Sequence, residues 1–213
     1  MKMNRWLMKP IVLTLSAVLA LVGCGAVQPV SEPQYFRLTL RTVEIPKSAP
    51  LSDMALWMDS WTASGLYLER PMVYALQPDS TRLRQYHYQY WTDPVPAQLR
   101  RRLADRVREA RLSDTVSERP PEVDRRVRIS GVVNRFERVR QPEGTWSAVV
   151  EFELKAENTS TGALLVRRSV TETEPANGDK MEASVAAFAT ASDRALAAFV
   201  EELRVALSKA EPG

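Results

Sequence analysis

The chain has 213 residues with 45% apolar and 26% charged side chains, room for one compact domain with a real core and little for two. Its formal net charge of +3 is carried by Lys2, Arg5 and Lys9. Beyond them basic and acidic residues balance, which removes the electrostatic case for nucleic-acid binding. A single cysteine and a single histidine leave no basis for a disulfide framework or a zinc site of His and Cys.

Met1–Lys9 is basic, Ile11–Ala20 is apolar, and Leu21-Val22-Gly23-Cys24 follows. A basic start, a short apolar core and small residues before a cut make a secretory signal. The apolar run ends at Val22, short of the roughly 20 residues needed to span a bilayer. Leu21-Val22-Gly23-Cys24 resembles the lipobox of bacterial lipoproteins. That resemblance implies a diacylglyceryl group on the Cys24 thiol, cleavage before Cys24, and acylation of the new amino group. More than one acyl chain holds a protein on a membrane far better than one does. The organisation expected is then 1–23 signal peptide, 24–33 acylated cysteine and tether, and 34–210 folded domain. Gly25, where an Asp would favour inner-membrane retention, implies the outer membrane, facing the periplasm. With Cys24 acylated the mature chain has no thiol for a disulfide or a nucleophile.

Pro29 and Pro33 mark the tether. A first strand is expected over Tyr35–Arg41, broken by Pro46–Pro50, and a second over Met54–Asp59. Leu66–Pro71 leads into a strand at Met72–Leu76, and Gln77-Pro78-Asp79-Ser80 is a turn. Leu83–Trp91 is strongly β-prone; simple alternation puts Tyr86, Tyr88 and Tyr90 on one face and His87, Gln89 and Trp91 on the other. Pro94 and Pro96 end it, and Pro96 suits the first turn of a helix. Leu99, Leu103, Val107 and Ala110 then recur at helical spacing, with Arg100, Arg101, Arg102, Arg106, Arg108 and Arg111 mostly on the other face.

Three strands follow a loop at Pro120-Pro121. Val127–Arg138 places Val127, Ile129 and Val133 on one side. Thr145–Glu157 alternates cleanly, with Ala148, Val150, Phe152, Leu154 and Ala156 facing in. Asn158–Gly162 turns the chain into Ala163–Thr173, completing an antiparallel meander with one wet face. The last element is a helix over Met181–Leu207. Its apolar stripe is Val185, Phe188, Ala189, Ser192, Leu196, Phe199, Val200, Leu203 and Leu207. Asp179 is its expected N-cap, with Glu182 as capping-box partner. The fold expected is α/β (α+β): one domain, a mixed and largely antiparallel sheet with two long helices on one face.

Candidate chemistry is thin. His87 is the only base for Ser-His-Asp catalysis, and no Gly-x-Ser-x-Gly elbow accompanies it. There is no phosphate loop. Asp93, Asp105, Glu151 and Glu153 read as solvated charge. The arginines at 100–102 invite an anionic-lipid reading, but Asp105 and Glu109 interleave with them as on a solvated helix face. No catalytic residue, metal or cofactor is expected. Trp57, Trp61, Tyr67, Tyr88 and Trp91, with Tyr86 and Tyr90, form a heavy aromatic load. They divide between core and a candidate partner interface, where aromatics are favoured.

Taken together, the lipobox, Tyr35-Phe36-Arg37-Leu38, Leu66-Tyr67-Leu68-Glu69-Arg70-Pro71-Met72-Val73, Tyr88-Gln89-Tyr90-Trp91-Thr92-Asp93-Pro94-Val95 and the late Ala-rich helix resemble the ABC-type transport auxiliary lipoprotein family. That family includes the paraquat-inducible protein C lipoproteins. Glu69 stands for its usual Asp, and Thr92-Asp93 and Val95 depart modestly from its second pattern. The resemblance implies a non-enzymatic outer-membrane lipoprotein of an envelope phospholipid-transport system. It would dock a periplasmic MCE-domain protein, singly or as a homo-oligomer ring, and indirectly serve an inner-membrane ABC transporter or permease. It implies that Arg70-Pro71 and Trp91-Asp93-Pro94 build a corner of the fold. The competing expectations are a lipoprotein regulator of an envelope enzyme such as a cell-wall synthase, and an envelope hydrolase dependent on His87.

Overall fold

A computed structural model describes residues 31–38 and 44–210. The expected signal, Cys24 and the expected tether up to Val30 lie outside the described residues, as does the end of the expected first strand, residues 39–41. The elements are β1 (Gln34–Phe36), β2 (Ala55–Met58), β3 (Thr62–Ala63), a 3-10 turn (Gly65–Leu68), β4 (Pro71–Ala75), β5 (Arg84–Trp91), α1 (Val95–Glu109), β6 (Val116–Ser117), β7 (Arg126–Arg140), β8 (Trp146–Asn158), β9 (Leu164–Pro175) and α2 (Met181–Ala210).

The long strand β7 organises the sheet. One edge pairs antiparallel with β8, and β8 with β9, giving the expected meander. Gly144 and Gly162 close its two turns at positive φ, where a side chain would be strained. The other edge of β7 carries three short strands end to end, all parallel to it. Ala55–Met58 lies beside Arg126–Ile129, Thr62–Ala63 beside Val132–Val133, and Val73–Ala75 beside Glu137–Val139. β5 then pairs antiparallel with β4, and β1 parallel with β5. Alternation predicts strands but not their neighbours, so these parallel additions, and the two-residue strands β3 and β6, were not visible in the sequence.

The inward face expected of β8 is met, whereas Ser147, which strict alternation puts outside, is buried. Ala148, Val150, Phe152, Leu154 and Ala156 are fully buried. Every member of the predicted α2 stripe is buried as well, against β8 and β9. Each large apolar side chain so buried contributes about 1.5–3 kcal/mol. Met181–Ala210 is long and apolar enough to cross a bilayer, but its stripe is occupied by the sheet. α1 buries Leu99, Leu103 and Val107, and begins with Pro96 in its first turn as expected. The arginines of α1 are ion-paired. Arg100 meets Glu118, Arg101 meets Asp93, and Arg108 meets Asp105. Arg102 and Arg106 both reach Asp193 on α2, at 2.6 and 2.9 Å. This clasp joins the helices, and the arginine-rich face is a self-neutralised one.

Two irregularities redirect side chains. A register shift between Val133 and Arg135 in β7 flips its alternation, turning Phe136 into the core. In β5 the pairing moves from Pro71↔Tyr90 to Val73↔Gln85, an odd offset. The expected common face for Tyr86, Tyr88 and Tyr90 is therefore corrected. Tyr90 lies beside Tyr35 at 5.7 Å, whereas Tyr86 packs on Tyr74 at 4.4 Å.

Candidate functional site

The two loosely patterned segments, Leu66–Val73 and Tyr88–Val95, meet in space. The Trp91 amide donates to the Arg70 carbonyl at 2.8 Å, and Arg70 Nε returns a bond to the Trp91 carbonyl at 3.0 Å. The Arg70 guanidinium also lies over the Tyr35 ring at 5.3 Å. The Thr92 amide donates to the Phe36 carbonyl at 2.7 Å. Buried Gln98 completes the corner: its Nε2 donates to the Asp93 carbonyl, and its Oε1 accepts from the Leu38 amide at 2.9 Å. Three chain segments are thus tied by hydrogen bonds around the start of α1. Gln98 was missed in the sequence; its only signal is a polar residue next to Leu99 on the buried side of an amphipathic helix.

The five aromatics named as a candidate interface separate. Trp91 is 2% exposed and meets the stacked pair Phe136 and Phe188 edge-on, 5.5 Å from each. Trp61 is buried against Gly131. Tyr67 is buried and donates its hydroxyl to Glu137 Oε2 at 2.6 Å. These three present no surface to a partner, because the sheet's core needs their volume. Trp57 is half-buried and Tyr88 is 40% exposed. Of the five, only these two keep appreciable surface, with exposed His87 beside Tyr88, their rings 6.4 Å apart.

Two polar clusters were also invisible in the sequence. Glu137, 2% exposed, accepts from Tyr67 and from Arg135. Burial first, and then the Glu137 hydrogen bond, push the Tyr67 phenol above its ordinary pKa. Arg138, 5% exposed, lies 3.9 Å over Trp146 and donates to the Tyr86 hydroxyl and the Asp179 carbonyl. Burial raises the Tyr86 pKa, against the lowering effect of Arg138. Three of the four candidate carboxylates are held in ion pairs: Asp93 and Asp105 on α1's arginines, Glu153 on Lys155 and Arg167. No group of three His, Cys, Asp or Glu suited to a metal occurs among the described residues.

The family model for the ABC-type transport auxiliary lipoprotein component matches residues 38–200. The chain belongs to that family. The match takes in both corner segments, the meander and most of α2, and it makes the chain an auxiliary lipoprotein associated with ABC-type transport in the envelope. A crystal structure of a Xanthomonas campestris protein of the family model DUF330 has the same fold, with a TM-score of 0.69 and 18% identity, covering 81% of this chain and 95% of that one. A second, of an uncharacterised protein, has a TM-score of 0.64 and 16% identity, covering 81% of this chain and 99% of that one. At such identities the likeness is one of fold. No curated protein matches the sequence.

Proposed function

We propose that this auxiliary lipoprotein is a non-enzymatic adaptor of an envelope phospholipid-transport system, anchored through acylated Cys24 at the outer membrane. It holds a periplasmic MCE-domain protein there, while an ABC transporter or permease works at the inner membrane. The observation that carries the reading is the family match over 38–200, in a chain whose first residues end in Leu21-Val22-Gly23-Cys24. In this reading 1–23 is removed, 24–33 gives slack between lipid and fold, and 34–210 presents the partner surface. That surface includes Trp57 and Tyr88, the two of the five candidate interface aromatics that are not buried.

In-cell crosslinking of the tagged protein, then purification in mild detergent and identification of what accompanies it, tests this. An MCE-domain protein is the expected companion. Recovery of a cell-wall synthase in its place would overturn the transport reading in favour of an enzyme regulator. The anchor has its own test: Cys24→Ala is expected to lose lipid labelling and outer-membrane fractionation, and retention of both would sink it.

A further inference from the structure

Most arginines of the meander and α2 are neutralised within the chain. Arg128, Arg135, Arg167, Arg168 and Arg194 each hold a carboxylate. At one end of the sheet this stops. Arg138 and Arg140 on β7 make no ion pair among the described residues, and neither does Arg84 on β5. The strand registers put all three on one face. Arg138 is the neighbour of Tyr74 on β4, and Tyr74 of Arg84 on β5. Arg140, two residues on from Arg138, lies on the same side of β7, opposite Trp146 on β8.

Arg138 is only 5% exposed, and a buried guanidinium is ordinarily matched by a carboxylate. Here its two Nη atoms bond uncharged oxygens, the Tyr86 hydroxyl at 2.8 Å and the Asp179 carbonyl at 2.6 Å. Its Nε is buried with no partner. No formal negative charge answers it. The surroundings add to the excess. The Asp179 carbonyl leads into α2, whose N-terminal end carries a partial positive charge, and Lys180 is exposed there. Arg138 and Arg140 also share one indole, 3.9 and 5.6 Å from the centre of the Trp146 ring. Asp79, Glu143, Asp179 and Glu182 are exposed on the neighbouring turns and helix start, and none pairs with these arginines.

We infer that this end of the sheet binds a phosphate group. Three arginines spread over one face suit a tetrahedral anion with several oxygens, whereas a carboxylate is satisfied by a single guanidinium fork. Arg140 and Arg84, both exposed, are the groups open to the oxygens, and Arg138 supplies the buried charge behind them. The walls of the seat are apolar. Trp146 and Tyr74 are half-buried, their rings edge to face at 6.4 Å, and Leu76 is 44% exposed. Arg140 and Leu76 also line a cleft of about 360 Å3 between the turns at 76–79 and 140–142. Such walls suit a phosphate carried on an apolar molecule, as in a lipid headgroup, and the arginines suit the free ion equally. The inference comes from charge and geometry at this end alone and stands without the transport reading.

The full chain in dodecyl maltoside tests the seat through the fluorescence of Trp146, taken as the signal that Trp146→Phe removes. Inorganic phosphate and the soluble lipid dihexanoylphosphatidylglycerol are titrated separately, with dihexanoylglycerol, which has no phosphate, beside them. A saturable response to at least one phosphate probe is expected, and none to dihexanoylglycerol. Response to the lipid alone identifies a headgroup, and response to both identifies a site for the phosphate ion itself. Arg140 is exposed and unpaired, so Arg140→Gln should melt like the native chain and weaken binding about tenfold or more, the loss of a charge-assisted fork. Arg140→Lys should recover part of it, and added salt should weaken binding to the native chain. A native chain that answers neither phosphate probe overturns the proposal. So does a folded Arg140→Gln protein that binds as tightly as the native one, or a response to dihexanoylglycerol equal to that of the phospholipid.

Discussion

Trp61 lies flat against the bare Cα of Gly131: a Cβ added there would meet the indole at 2.6 Å from Cδ2 and 2.7 Å from Cε2. The pair joins the segment just before β3 to the middle of β7, so the glycine is a matter of space. Gly131→Ala is expected to push the indole out of its seat and lower stability by about 1–3 kcal/mol, the cost of overpacking a core. Thermal melts of the variant and the native chain measure it.

The clasp of Arg102 and Arg106 on Asp193 should dominate the contact between the helices. Asp193→Asn leaves Arg102, 8% exposed, without its carboxylate, and is expected to cost about 3 kcal/mol. Denaturant unfolding of Asp193→Asn, Arg102→Gln and the double variant would show the coupling. If the loss in the double variant equals the sum of the two single losses, the clasp is not a unit.

The same carboxylate gives a pH dependence of known sign. Burial works against the Asp193 charge, but hydrogen bonds from Arg102 and Arg106 outweigh it, and its pKa lies below the ordinary value. A lowered pKa means the unfolded chain binds the proton more readily. The stabilisation is complete above the unfolded value, about 3.9, and is lost as pH falls through the folded one. Between pH 5 and the acid limit the native chain should lose more stability than Asp193→Asn, as acid titrations at fixed denaturant would record.

Tyr67→Phe isolates the buried Glu137. The ring remains, but Glu137 Oε2 loses the donor at 2.6 Å. A loss of about 1–3 kcal/mol is expected, with no effect on partner capture.

The aromatic cluster makes a divided prediction. Trp91→Ala should cost about 3–5 kcal/mol, because its buried ring packs edge-on against the stacked Phe136 and Phe188. Trp57→Ala and Tyr88→Ala should melt close to the native chain yet reduce recovery of the crosslinked partner. His87→Ala, next to Tyr88, should leave resistance to detergent unchanged in cells; its loss in a folded variant would restore the hydrolase reading.

How legible the molecule was depends on which force placed each residue. β8 and α2 were readable because one apolar face against one wet face imposes a period, and nothing interrupts it from Val150 to Ala156 or from Val185 to Leu207. The tyrosines of β5 were not. Their alternation breaks where the pairing with β4 slips, and a slip is decided by the neighbour strand. Trp61 and Tyr67 were ambiguous for another reason. A large aromatic serves a core or a surface equally well, and here the answer lay in Gly131 and Glu137, 70 residues further along in each case. The corner at Arg70 and Trp91 was visible as a pattern of residues, but only the fold shows the two segments bonded to each other.

The placement of β2 and β3 along β7 sets an order of assembly. β3 has β7 as its strand partner, and β2 has β7 and the two-residue β6. When the chain emerges into the envelope, these apolar strands arrive long before Arg126–Arg140 can receive them. The β7–β8–β9 hairpins, by contrast, close locally, and local contacts form fastest. Folding of β2 and β3 then follows that of the C-terminal half, and until it does they wait as unpaired strand, the state that chaperones hold. A chain cut before Arg126 would yield no half-domain: its β3 would have nothing to join.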